Sequence, residues 1–163
     1  MKPVVDYALA IEKLGWATSH TITDMPYYFC GGNILVSNYD GVYYGDMLMT
    51  EALGRSQNTP AVQTLQAVVD KIGEEAVIDY LNTVGFDFDY EDFDLQFAIG
   101  GNTCVATPLQ MAGAHAMFMN GGKYIKPHTI NRIDYVEHGR EDYVADTVGK
   151  QVISDATAFM VAY

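Results

Sequence analysis

The sequence is poor in positive charge. Lys and Arg together number 9 against 21 Asp and Glu in 163 residues, which gives a net charge of −12 with His neutral. A surface this acidic repels phosphate groups. We therefore expect no nucleic-acid partner and no electrostatic docking of this segment on anionic lipid.

Metal-type ligands are also few. Cys30 and Cys104 are too few for a disulfide framework; they could form one bridge, but buried thiols are expected. The four histidines lack metal-ligand spacing. The acidic stretch 86–94 has Asp92 and Ala98 where a calcium loop needs Gly and Glu, so its alternation indicates one buried and one wet face. We expect no metal and no nucleotide cofactor.

No long apolar run predicts a membrane span. Residues 95–122 lack Asp, Glu, Lys and Arg, but Gly100-Gly101, Pro108 and His115 interrupt them. This stretch indicates a buried loop followed by a core helix. No secretory leader is apparent at the N-terminus. Because the chain enters a helical pattern directly after Met1 and stops inside another near Tyr163, we expect a segment cut at both ends.

Apolar periodicity and capping residues predict a mostly helical segment. The predicted helices are Val4 to Ile11 with its stop at Gly15, Met47 to Gly54, Pro60 to Ile72 with Thr59 as N-cap, Glu74 to Val84, Leu109 to Met119 opened by Thr107-Pro108, and a last helix capped by Ser154. Trp16 to Gly45 lacks periodicity and predicts an ordered, aromatic-rich loop. Lys123 to Val144, with turn residues His138-Gly139, predicts a β-hairpin.

The triplet Ser56-Gln57-Asn58 is a candidate site, although Ser-x-Asn should occur by chance about 0.5 times in a chain of this length. It lies between two predicted helices and just before Thr59-Pro60. A short connection there can project both side chains into a cleft. From the residues alone, the favoured interpretation is that Ser56 or Asn58 caps a helix end.

Several sequence blocks follow one another in order along the whole chain. They are Lys2-Pro3, Asn38-Tyr39-Asp40-Gly41, Glu51-Ala52-Leu53 with Ser56-Gln57-Asn58-Thr59-Pro60, Ile99-Gly100-Gly101, Thr107-Pro108-Leu109-Gln110-Met111-Ala112, and Asn120-Gly121-Gly122-Lys123 with Lys126-Pro127. In these blocks the sequence resembles the transpeptidase domain of penicillin-binding proteins, most closely the bifunctional class A type. Lys2-Pro3 is similar to the end of that family's Ser-x-x-Lys-Pro helix.

The resemblance implies an α+β fold of the serine β-lactamase/DD-transpeptidase type, of which residues 1–163 supply mostly the helical part and a hairpin. It implies that Lys2 takes the proton of a serine hydroxyl, that Ser56 relays it, and that Asn58 hydrogen-bonds the substrate. Tyr39 matches an aromatic position bordering the cleft. The nucleophilic serine would stand three residues before Lys2 and the Lys-Thr-Gly strand after Tyr163, so the isolated segment should be inactive.

The resemblance also implies partners and a location. The parent protein would cross-link peptidoglycan stem peptides at the extracytoplasmic face of the bacterial membrane, with its anchor outside this segment, and β-lactams would acylate it. The segment would pack against the remainder of its own domain. A degenerate relative that kept only the scaffold, a non-catalytic wall-binding protein, and a carboxypeptidase or β-lactamase remain alternatives.

Overall fold

The computed structural model describes residues 1–29, 32, 34–101, 103–136 and 139–163. A π-helical turn at Pro3–Tyr7 leads into the first α-helix, and two 3₁₀ turns lie at Tyr90–Asp92 and Leu95–Ile99. The α-helices are α1 (Ala8–Leu14), α2 (Met49–Gly54), α3 (Asn58–Ile72), α4 (Glu74–Thr83), α5 (Pro108–Met119) and α6 (Asp155–Ala162). The strands are β1 (Thr21–Asp24), β2 (Tyr27–Phe29), β3 (Ile34–Val36), β4 (Gly45–Leu48), β5 (Lys123–Tyr124), β6 (Arg132–Ile133), β7 (Tyr143–Val144) and β8 (Lys150–Gln151).

Helix ends that carry local signals are confirmed. Gly15 ends α1 in the left-handed conformation at φ 67°. Thr107 caps α5, and Gln110 bonds back to it to complete a capping box. Ser154 caps α6 through the Thr157 N–H. In each case the signal lies within four residues of the helix end, which is why the sequence alone reveals it.

Two predicted helix starts are wrong. Helix α2 begins at Met49, since Met47 and Leu48 belong to β4, and Leu48 makes no side-chain cap. Helix α3 begins at Asn58, so Thr59 lies inside it and does not serve as its N-cap. The Thr59 hydroxyl donates to the distant Asp24 carboxylate instead of capping the helix.

The predicted loop from Trp16 to Gly45 is wrong in part, because it contains β1, β2 and β3 and ends where β4 begins. β1 pairs with β4 and β2 with β3, both antiparallel. Strands of three or four residues are too short to show periodicity. Among the described residues of this segment, the aromatic side chains are divided between the buried Phe29 and the exposed Tyr28 and Tyr39, so only some of them pack inside as predicted.

The predicted hairpin is confirmed by the pairing of Arg132–Ile133 with Tyr143–Val144. Gly139 lies in the connection between them, and His138 falls outside the described residues. A second ribbon, β5 with β8, encloses this hairpin. Together with the helices, these antiparallel ribbons give the expected α+β fold.

The core lies between α1, α3 and the surrounding helices. The π-helical turn contributes Val4 and Val5 to this core, and α1 contributes Leu9. They belong to the same buried cluster as Leu65 and Val68 of α3. Burying side chains of this size stabilises the folded state by about 1.5–3 kcal/mol each. At the other end of α1, Glu12 Oε2 accepts hydrogen bonds from Ser154 Oγ (2.9 Å) and Thr157 Oγ1, which joins α6 to α1. The start of the chain is therefore held at the centre of the fold.

Several smaller predictions can be compared with the structure. Cys104 is a buried free thiol, and burial raises its pKa to about 11; Cys30 lies outside the described residues. In the acidic stretch, Phe86 and Phe88 are buried while Asp87 is exposed, as the alternation predicts, but the alternation ends at Tyr90, which is exposed. Among the described residues, no helix is long and apolar enough to cross a lipid bilayer.

Candidate active site

Lys2 stands at the entrance of the first helix, directly before the π-helical turn. The Ala8 N–H reaches the Pro3 carbonyl, one residue further than in an α-helix. Single π turns of this kind occur often at functional sites. Val4 and Val5 are fully buried, so the core holds the backbone that carries Lys2.

Ser56 has a strained backbone conformation. Its φ is +55°, and it is the only non-glycine residue in the described part of the chain with a positive φ. The Ser56 N–H bonds to Leu53 O (2.9 Å) and the Gln57 N–H to Ala52 O (3.0 Å), which is a Schellman motif ending α2. Glycine usually occupies this position. A serine here points to a requirement for its side chain.

The structure brings Lys2, Ser56 and Asn58 together across more than fifty residues of sequence. Lys2 Nζ lies 3.1 Å from Ser56 Oγ and 2.7 Å from Asn58 Oδ1, and it also donates to the Ser56 carbonyl. All three acceptors face one amine, so its direction is fixed. We call these three residues the Lys2 cluster.

The Lys2 cluster lies at the wall of an open cleft of about 690 Å³. Tyr39 also lines this cleft, with its side chain fully exposed. The other lining residues are Met1, Pro3, Leu53, Arg55 and Ile99. The four residues singled out from the sequence therefore share one cleft, three of them in direct contact and Tyr39 beside them.

The surroundings of Lys2 lower the pKa of its amine. Burial lowers the pKa of Lys2 from its ordinary value, and the carboxyl group of Asp6 partly opposes that effect. A lowered pKa gives a larger fraction of neutral amine at neutral pH, and only the neutral amine can accept a proton. A lysine amine beside a hydroxyl group is a chemically competent base.

The side chain of Asn58 is fixed at both ends. Its Oδ1 accepts from Lys2, and its Nδ2 donates to the Ser37 carbonyl at 2.8 Å. Its backbone N–H donates to Asn38 Oδ1, also at 2.8 Å. The sequence did not single out Asn38 as a site residue. It lies in the block that carries the resemblance, but nothing in that pattern indicates which way its amide points.

Metal ligands are not grouped in the part of the chain that the structure describes. No set of three or more His, Cys, Asp and Glu residues there is arranged to hold a metal ion. The chemistry that the cleft can support rests on the amine, hydroxyl and amide groups of the Lys2 cluster.

Comparison with known proteins identifies the family of the chain. The family model for the penicillin binding protein transpeptidase domain matches residues 1–163. Penicillin-binding protein 1A/1B of Bacillus subtilis is 32% identical over 163 residues, covering 99% of this chain and 17% of that protein. Penicillin-binding protein 1A of Streptococcus pneumoniae is 34% identical over 168 residues, and the match covers 99% of this chain and 22% of that protein. The chain thus spans about a fifth of the length of these relatives.

Solved structures show the same fold. Penicillin-binding protein 1A from Haemophilus influenzae superposes with a TM-score of 0.71 at 24% identity, covering 98% of this chain and 28% of that chain. An imipenem acyl-enzyme complex of penicillin-binding protein A from M. tuberculosis superposes with a TM-score of 0.76 at 18% identity, and the match covers 98% of this chain and 40% of that chain. The chain belongs to the penicillin-binding protein transpeptidase family. Its curated relatives place it in the class A branch.

Proposed function

We propose that this chain is the part of a serine-type D-Ala-D-Ala transpeptidase that supplies the general base and its partners. The observation that carries the proposal is the contact of Lys2 Nζ with Ser56 Oγ at 3.1 Å and Asn58 Oδ1 at 2.7 Å, at the wall of a cleft. An amine with a lowered pKa beside a hydroxyl group can serve as the base and proton relay that activate a nucleophilic serine.

In the proposed reaction, a serine three residues before Lys2 attacks the carbonyl carbon between the last two D-Ala residues of a stem peptide. Neutral Lys2 takes the serine proton, and Ser56 passes a proton to the departing D-Ala amine. Asn58 hydrogen-bonds the peptide backbone of the substrate. An amine of a second stem peptide then attacks the acyl-enzyme, which forms the cross-link and releases the serine.

β-Lactams would react with the same serine and remain attached as an acyl group. The longer protein would act at the extracytoplasmic face of the bacterial membrane, where peptidoglycan is assembled. Residues 1–163 alone should form no adduct, because the serine and the Lys-Thr-Gly strand would both be supplied by other parts of the domain.

The test is acylation of the natural protein extended past both ends of this chain. It is incubated with penicillin, and the intact mass and the modified peptide are measured. A stoichiometric penicilloyl adduct on a serine three residues before Lys2 is expected. A folded protein without adduct would contradict the proposal, and binding to peptidoglycan would then favour a wall-binding relative.

Two lysines on one helix provide a matched pair of variants. Lys2→Met should lower the acylation rate constant by about 10²–10⁴-fold, the usual contribution of a general base. Lys13→Met changes an exposed lysine at the far end of α1 and should leave the rate unchanged. In the unchanged extended protein, rapid hydrolysis of the penicilloyl adduct to free penicilloate would instead favour the hydrolase alternative, a carboxypeptidase or β-lactamase.

A further inference from the structure

We infer that Asn38, oriented by Asp24, is a positioning residue that sets the start of α3 and thereby the placement of Ser56 and Asn58. The inference deepens the proposed function and rests on it. It stands on a set of hydrogen bonds that joins three separate segments of the chain behind the Lys2 cluster.

The first step is that α3 lacks a cap of its own. Gln57 precedes the helix, and its side chain makes no capping hydrogen bond. The first N–H groups of a helix have no intrahelical acceptor and need one from elsewhere. Asn38 Oδ1 supplies it from twenty residues away, accepting from the N–H groups of Asn58 (2.8 Å) and Thr59 (3.3 Å). The helix that carries Asn58 therefore starts where Asn38 is placed.

The second step is that the amide of Asn38 can point only one way. Its Nδ2 donates to Asp24 Oδ1 (2.9 Å), to Asp24 Oδ2 (3.0 Å) and to the Val42 carbonyl (2.8 Å). Reversing the amide would bring its oxygen against three acceptors and its nitrogen against two N–H donors. Asn38 is 3% exposed, so water cannot take over these bonds. The orientation follows from its partners.

The third step is that Asp24 is itself held by donors from other segments. The Tyr44 N–H donates to its Oδ2 at 3.0 Å and the Thr59 hydroxyl to its Oδ1. Asp24 is 1% exposed at the end of β1. It lies close to the first turn of α3, where the helix dipole favours negative charge. A buried carboxylate with this many donors is held firmly enough to orient Asn38.

The consequence for the site runs through the backbone. Asn58 is held at its N–H by Asn38 and at its side chain by the carbonyl of the preceding Ser37. Ser56, with its positive φ, lies two residues before this anchor. Tyr39 follows Asn38 directly and lines the cleft. Loss of the Asn38 bonds would loosen the cap, the strained serine and the cleft wall together.

The experiment uses the extended protein and measures the rate of acylation by a fluorescent penicillin well below the unfolding temperature. Asn38→Ala should lower the first-order acylation rate constant by about 10²-fold, the cost that a misplacement of about 1 Å can have. The dissociation constant of the initial complex should change less than this rate constant. In the same variant, the amide protons of Asn58 and Thr59 should exchange faster with solvent.

The matched control is Thr107→Ala, which removes the cap of α5. It should lower the unfolding temperature while leaving the acylation rate constant within about twofold, because α5 starts outside the Lys2 cluster. A purely structural role for Asn38 would make the two variants behave alike. Equal rates and equal amide exchange in Asn38→Ala and the unchanged protein would overturn the inference.

An exchange of the two side chains provides a rescue test. Asn38→Asp keeps the acceptor for α3 but places two buried carboxylates in contact, so it should acylate slowly. Adding Asp24→Asn restores a donor between the two positions and should recover about tenfold of the lost rate, as coupled neighbours commonly do. Recovery stays partial because the Val42 carbonyl loses its donor. No recovery at all would contradict the proposed pairing.

Failure of the proposed function can be told apart from failure of this inference. If the extended protein forms no adduct, the transpeptidase proposal fails, and the exchange rates of the Asn58 and Thr59 amide protons decide the inference alone. If these amide protons exchange faster in Asn38→Ala than in Thr107→Ala, the positioning role of Asn38 is supported. If their exchange in Asn38→Ala equals that in the unchanged protein, the inference is overturned.

Discussion

Asp24 and Asp6 are both buried carboxyl groups near the Lys2 cluster, but their surroundings are opposite. Asp24 is 1% exposed and accepts hydrogen bonds from Asn38, Thr59 and Tyr44. Asp6 is 0% exposed, and within the described residues neither of its oxygens has a hydrogen-bond partner. Two equally buried carboxyl groups thus differ in their hydrogen-bond partners.

The difference shows what a buried carboxyl group can contribute. Burial raises the pKa of Asp6 well above its ordinary value, and the charge of Lys2 only partly opposes this effect. Burial therefore favours the protonated form of Asp6, and among the residues that the structure describes its oxygens form no hydrogen bond to another segment. Asp24 lies at the end of β1 and accepts from donors in two other segments, so it joins β1 to the loop after β3 and to the start of α3. Hydrogen-bond donors, and not depth, determine which carboxyl group organises the site.

The largest effect should come from Asp24→Asn. This change removes the charge and turns one acceptor into a donor that faces other donors. We expect the free energy of unfolding to fall by about 3 kcal/mol, since hydrogen bonds to buried charged groups contribute about 1.5–3 kcal/mol each. Denaturant unfolding of the extended protein measures it. A loss below about 0.5 kcal/mol, the range of ordinary surface substitutions, would break the contrast with Asp6.

The same substitution at Asp6 should have the opposite sign. Between the unfolded-state pKa of 3.8 and the raised folded-state pKa, the folded protein holds a proton that the unfolded chain has released, so its stability falls as pH rises. Because asparagine cannot ionise, the Asp6→Asn variant does not lose stability in this way as the pH rises. Asp6→Asn should match the unchanged protein near about pH 4 and be more stable at about pH 7. Parallel stability curves over this range would show that Asp6 is not protonated when folded.

Thr59→Val removes one of the donors to Asp24 and makes that carboxylate more like Asp6. Thr59 is fully buried, and Val has nearly the same shape, so the change isolates the hydroxyl group. We expect a loss of about 1.5 kcal/mol in the free energy of unfolding, the lower end for a hydrogen bond to a charged group. Combined with Asp24→Asn, it should add little further loss. Full additivity would show that the two side chains act separately.

The smallest effect concerns the backbone strain at Ser56, which lies just before the start of α3. Glycine has no Cβ penalty at a positive φ, so Ser56→Gly should be about 1 kcal/mol more stable than Ser56→Ala. Both variants lack the hydroxyl group and should acylate equally slowly. Thermal unfolding and acylation rates, measured side by side, separate strain from chemistry. Equal stability of the two variants would mean that Ser56 carries no strain.

Much of the helical frame was predictable because its signals are local. Gly15, the pair Thr107-Pro108, and Ser154 each act on a helix end within a few residues, and the structure confirms all three ends. The hairpin was predictable for the same reason. The ordered blocks of the resemblance also identified the family and nominated Lys2, Ser56 and Asn58 without any coordinates.

The short strands between Trp16 and Gly45 could not be predicted in this way. β1 finds its partner β4 more than twenty residues further along the chain, and each strand has four residues. At that length, neither alternation nor β-propensity exceeds the noise of composition. Their pairing depends on contacts with the rest of the fold.

The sequence by itself determined the family to which the chain belongs and where most helices end, since ordered sequence blocks and capping residues depend on residue type and near neighbours. Only the tertiary structure decided that α3 starts at Asn58 and that Asn38 and Asp24 lie beside the Lys2 cluster. The hydrogen bonds responsible join residues 14 to 56 positions apart. A donor and an acceptor at such separations meet only when the core has brought their segments together.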